Sequence, residues 1–147
     1  MATNSYAPRV EVLAEAPAPT GASAAAMAAC VRRAWEAFDG PPGAGVDVVL
    51  LGEDEHTRLH ARWMDDPSST DVMAVAYRDA DLWGEILVNV DCAKRVAQER
   101  GHSAARECLL YVTHGALHLL GFDDLSPRAA VAMRAAEERI AGARGGA

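Results

Sequence analysis

Two imidazoles four residues apart, His114 and His118, and two consecutive carboxylates, Asp123 and Asp124, stand on either side of Gly121. Residues at that spacing lie one turn apart on the same side of a helix, so both rings can reach one point. Gly121 falls where a glycine can adopt a left-handed conformation and end the helix. The chain can then double back and carry Asp123 or Asp124 to the same point. Two imidazoles, one carboxylate and a fourth position left to water describe a catalytic rather than a structural metal site. An ion held this way lowers the pKa of its water and polarises the bond to be hydrolysed. A peptidase of this pattern has a glutamate general base directly after the first histidine; Gly115 stands there and offers no side chain.

Asp124 follows His114 by ten residues, the spacing at which metzincin-like sites place a third ligand, and Asp123 is the alternative. The competing reading of both aspartates is turn and cap chemistry ahead of a helix at Ser126. That of the histidines is an ordinary surface or core pair. Two further uses of the same donors stay open. Two histidines and a carboxylate can hold iron(II) for oxygen chemistry, and a binding module can carry a purely structural ion. His56, His60 and His102 read as surface or loop residues, and Cys108 as packing.

These residues need a rigid helix and a frame behind it. Arg9 to Ala14 alternates apolar and polar residues as a short strand. Thr20 can cap a helix running through Ser23 to Phe38, with Met27, Val31, Trp35 and Phe38 at core spacing. Val46 to Leu51 is a β-branched buried strand, and Glu53 to Met64 a helix. Thr70 to Tyr77 and Gly84 to Val90 read as strands. Asp91 can cap a short helix ending near Gly101. Ser103 caps the apolar helix that carries both histidines, and Ser126-Pro127 opens a last helix running to Ile140. Its arginines, Arg128, Arg134 and Arg139, read as solvated charge alongside Glu137 and Glu138. Strands and helices mix without strict alternation, so the fold class is α+β: a single domain with a small mixed sheet and five helices.

With 147 residues the chain can bury a core without staples. Its three cysteines, Cys30, Cys92 and Cys108, are odd in number, widely spaced and form no zinc pair, which points to reduced buried thiols in a cytoplasmic protein. The start lacks the layout of a signal peptide, and no apolar run is long enough to span a membrane. A net charge of −7 argues against nucleic acid. The charge is uneven: residues 1–93 hold 6 basic and 15 acidic side chains, and residues 94–147 hold 8 and 6. The segment carrying the proposed ion is the less acidic one.

Taken together, these segments resemble the YbeY family of rRNA maturation endoribonucleases. Its signature, histidine-glycine-x-leucine-histidine-leucine-x-glycine-tyrosine-aspartate-histidine, is matched from His114 through Asp123, with Phe122 for the tyrosine. Asp124 stands where the family has a third histidine, which would make the ion's water less acidic by lowering the charge of the centre. Leu59, Thr70-Asp71-Val72, Gly84-Glu85-Ile86 and Gly101-His102-Ser103 fall in order, and the resemblance runs over residues 7–142, with flexible ends at 1–6 and 143–147. It implies an α+β fold with a metzincin-like metal helix and a metal-dependent hydrolase acting on the 3′ end of small-subunit rRNA and in ribosome quality control. His114, His118 and Asp124 would hold one divalent ion, zinc above others. The partners would be rRNA and the small ribosomal subunit or its factors, without DNA or membrane. An arginine common in the family falls at Met64, leaving Arg62 as the candidate phosphate contact, and the family's serine-phenylalanine is Ala74-Val75.

Overall fold

A strand whose residues are apolar on both faces must be covered on both, and Gly45–Leu51 (β2) is that strand: all but Asp47 are buried. In the computed structural model, which describes residues 7–141, β2 is central in a four-stranded sheet. Arg9–Ala14 (β1) pairs with it in parallel on one side. On the other lies Gly84–Asn89 (β4), also parallel, with Val72–Ala76 (β3) antiparallel at the edge beyond. The order β1-β2-β4-β3 makes a mixed sheet and bears out the α+β expectation. The terminal segments expected to be flexible, 1–6 and 143–147, lie outside the described residues.

Helix Ala24–Ala37 (α1) makes the crossover from β1 to β2, and Glu53–Met64 (α2) follows β2. Val90–Arg100 (α3), Ala104–Leu119 (α4) and Pro127–Ala141 (α5) complete the chain. One face of the sheet, through Val46, Val48, Leu50, Ile86 and Val88, meets α1 and α4. The other, through Val49, Leu51, Met73 and Leu87, receives Leu59 of α2. Among the described residues no helix is long and apolar enough to cross a membrane.

Several caps differ from expectation. Ser23, not Thr20, caps α1, its hydroxyl accepting from the amide of Ala26 at 3.1 Å. Asn89 rather than Asp91 caps α3, accepting from Cys92 N–H at 3.0 Å. Asp91 serves another helix: its carboxylate accepts Glu53 N–H at 2.8 Å, at the start of α2, where Gly52 has no capping side chain. Strand β3 is shorter than expected because Thr70 and Asp71 are drawn into side-chain bonding. Asn89 donates to Thr70 O at 3.1 Å, and Asp71 Oδ1 accepts from Val72 N–H at 2.7 Å. His56, expected at the surface, is wholly buried under the sheet, where its Nε2–H donates to Leu87 O at 2.7 Å. Burial holds that ring below the ordinary histidine range, in its neutral form.

Helix α4 sits close on β4. A Cβ at Gly115 would lie 2.5 Å from Ile86 Cγ2, and one at Gly84 would lie 2.5 Å from Leu119 Cδ2. Ile86 is branched next to its backbone and fully buried, so it cannot swing aside. Gly115→Ala gains helix propensity of about 1 kcal/mol, but overpacking costs ~1–3 kcal/mol. We expect a net loss of about 1 kcal/mol in urea unfolding; an unchanged or raised midpoint would contradict this packing.

On the α2 side, Glu11, Asp47 and Glu85 stand opposite one another across β1, β2 and β4. Partial burial first, then Glu11 and Glu85, push the Asp47 carboxyl above the usual carboxylate range. With its folded pKa raised, protonation favours the folded state; that stabilisation is full below the unfolded pKa and lost as pH rises through the folded one. Asp47→Asn should therefore raise stability at pH 7 by roughly 0.2–1 kcal/mol, with the gain shrinking toward pH 4 in paired urea titrations.

Candidate metal centre

A helix buried along most of its length holds its few half-exposed side chains in place. On α4, Cys108, Tyr111, Val112, Ala116 and Leu117 are in the core, while His114 and His118 are half-buried. Cys108 is packing, as expected. Gly121 ends the helix as its position suggested, with φ at +100°. Its amide donates to His118 O at 3.0 Å and that of Phe122 to Leu117 O at 3.0 Å, the double bond of a Schellman stop. Phe122 then packs edge-on against Phe38 of α1 at 5.0 Å between centroids, and the Arg139 guanidinium lies 5.0 Å from the same Phe38 ring. The turn after the histidines is thus tied to α1 and α5.

The Nε2 atoms of His114 and His118 are 3.2 Å apart, their rings edge to face. Two imidazole ligands on one tetrahedral zinc, at about 2.0–2.1 Å each, place their nitrogens roughly 3.3 Å apart. The observed separation fits that span. Burial first, then the neighbouring His114, hold His118 below the ordinary range, while Asp124, Asp123 and Glu137 oppose the shift. A ring kept from protonating keeps a lone pair for a cation.

The aspartates are less settled in place. Asp123 is half-buried, and its Oδ1 accepts the Leu125 amide at 3.0 Å, which is turn chemistry. Asp124 is exposed. Both act on His118 electrostatically, yet among the described residues no three His, Cys, Asp or Glu side chains are grouped so as to hold a metal ion together. Arg62 is exposed in the last turn of α2, against the opposite face of the sheet, and is not brought to the histidines. His60 Nδ1 lies 2.8 Å from Ser68 O, and His102 Nε2 lies 2.6 Å from Oε1 of the buried Glu107. His102 is thus a loop residue turned inward onto a buried carboxylate rather than a surface one.

One residue of the site escaped the sequence reading. Glu137, expected to be solvated, is only 4% exposed, and its Oε1 meets Nδ1 of His114. A signal was present. Met133, Glu137 and Ile140 fall at helical spacing on one stripe of α5, and a lone carboxylate on an apolar stripe needs a partner.

Gly115 also has a second reason. Its missing side chain is filled by Ile86, so a peptidase-type glutamate has no room at this position.

Comparison with known proteins agrees with this architecture. The family described as Endoribonuclease YbeY matches residues 16–144. A Clavibacter michiganensis protein of that description is 37% identical over 97 residues, covering 58% of this chain and 63% of its own length. One from Frankia alni is 35% identical over 115 residues, covering 69% and 64%. One from Beutenbergia cavernae is 32% identical over 120 residues, covering 74% and 80%. The chain therefore spans less than two thirds of the length of the first two. A solution structure from Thermotoga maritima superimposes with a TM-score of 0.59 at 25% identity, over 90% of this chain and 89% of that one.

In metal-free protein, NMR titration should place the His118 midpoint below 6.5, the ordinary histidine value. A midpoint above it would mean that the carboxylates, not burial and His114, govern the ring.

Proposed function

Since the chain belongs to the endoribonuclease YbeY family, we propose that it is a metal-dependent endoribonuclease of rRNA maturation, working at the 3′ end of small-subunit rRNA in the cytoplasm. The observation that carries the reading is the 3.2 Å approach of two imidazole nitrogens on one rigid helix, at the span of a shared ion. His114 and His118 supply two donors, and Asp124 the third once the turn after Gly121 brings its carboxylate in; Asp123 is the substitute. Zinc suits two imidazoles and a carboxylate. When bound, it supplies Lewis acidity at the phosphodiester and lowers the pKa of the attacking water.

The protein's own residues shape the rest. Gly115, seated on Ile86, removes the general base of a peptidase and directs the site away from peptides. Charge supports approach of RNA from the helical side. The carboxylates of Glu11, Asp47 and Glu85 line the α2 face of the sheet, whereas residues 94–147, which include α4 and α5, carry 8 basic and 6 acidic groups. A phosphate backbone is repelled from the first surface and not from the second. Arg62, on the α2 side, stays outside the reacting centre in this reading. The partners would be rRNA and the small ribosomal subunit or its factors.

Zinc-reconstituted protein should cut single-stranded rRNA fragments, and His114→Ala of matched thermal stability should lose at least ~100-fold in rate. Equal rates would overturn the assignment. Ribosomal-particle binding by both proteins without cutting would make the chain a non-catalytic ribosome-associated factor. Iron in anaerobically purified protein, with dioxygen uptake, would make it an oxygen-using enzyme.

A further inference from the structure

We infer that Glu137 is the positioning residue of the centre: its buried carboxylate accepts a hydrogen bond from Nδ1–H of His114 and thereby leaves Nε2 of that ring as a bare lone pair turned toward His118. The inference rests on the reading that His114 and His118 share an ion, and it assigns a role to a residue of a different helix.

A neutral imidazole has one N–H and one lone pair, and its other contacts decide which nitrogen has which. His114 has a different neighbour at each nitrogen. Nε2 faces His118 at 3.2 Å, and Nδ1 meets Glu137 Oε1. An ionised carboxylate only accepts, so the nitrogen that faces it is the protonated one. The ligating form of His114 is then preset before any ion arrives.

The carboxylate is held for this task. Met133 and Ala136, on the same side of α5, are 2% and 4% exposed, so the helix is anchored against the core around Glu137. The Glu137 side chain itself is 5% exposed, against 22% for His114. Burying a carboxylate so deeply is costly unless it is hydrogen-bonded, and the imidazole N–H answers that need. The contact also ties α5 to α4. A purely structural tie would need the same tautomer but would leave zinc affinity unchanged in a folded variant that lacks it; a positioning role makes the affinity follow the tautomer.

Two variants and two readouts separate these roles. Long-range proton–nitrogen NMR on histidine-labelled, metal-free protein reads the tautomer. Competition with a chromophoric chelator reads zinc affinity well below the melting temperature. Wild type should show His114 protonated at Nδ1. Glu137→Gln, which keeps an accepting oxygen and the shape of the side chain, should retain that tautomer and most of the affinity. Glu137→Ala should shift His114 toward protonation at Nε2 and weaken zinc by about 10–100-fold. The role is overturned if wild-type His114 carries its proton at Nε2, or if Glu137→Ala binds zinc as wild type does with the tautomer unchanged. Absence of zinc uptake by wild type would overturn the metal reading beneath it, a result distinct from zinc uptake without a tautomer change. Should Glu137→Ala fail to fold, Glu137→Gln with lost Nδ1 protonation and unaltered zinc binding would equally overturn the role.

Discussion

Helix α4 rests on strand β4 through two reciprocal contacts, each filling the place of a missing side chain. Ile86 of the strand enters the space over Gly115 of the helix, and Leu119 of the helix enters the space over Gly84 of the strand. Interiors are packed closely enough that a methyl group at Gly115 would press on the branched Ile86, and one at Gly84 would displace the Leu119 side chain. The pair fixes the height, rotation and direction of α4 on the sheet. His114 and His118, each one residue before a member of that contact row, inherit their placement from it. The two imidazoles are held in place because the helix beneath them is seated on the strand.

Around that contact the other elements act as constraints on the turn and on the rings. The Schellman stop at Gly121 reverses the chain just after His118, and Phe122 is held against Phe38 under the Arg139 guanidinium. Helix α5 returns across α4 and sets the Glu137 carboxylate against His114. One helix carries the two imidazoles, another the carboxylate that meets one of them. Asp123 and Asp124 follow that turn, Asp123 bonded to the Leu125 amide and Asp124 exposed. Electrostatics follow the same division, with carboxylates facing one another across the sheet on the side away from the histidines.

Local chemistry made much of this legible in advance. Strand β1 and helix α2 begin and end where alternation and helical periodicity place them, at Arg9–Ala14 and Glu53–Met64. The histidine spacing and Gly121 anticipated the convergence of two imidazoles and the end of the helix. Residues whose role depends on a partner far along the chain were misread. Asp91 looked like a cap for its own helix and caps α2 instead. His56 and Glu137 looked solvated and are buried: a histidine in a polar helix carries no local mark of what will cover it, and the stripe that Glu137 shares with Met133 and Ile140 marks burial without naming the partner.

From the order of its amino acids alone, the chain specified its elements, its α+β class and the pair of nitrogens on one side of a helix, since these depend on contacts within a few residues. Only packing between elements decided that His56 and Glu137 go inside, that Gly115 makes room for Ile86 as well as lacking a base, and that Arg62 lies on the far face of the sheet. Those outcomes depend on which surfaces meet when the helices close over the strands, and surfaces that meet across the fold are distant in sequence.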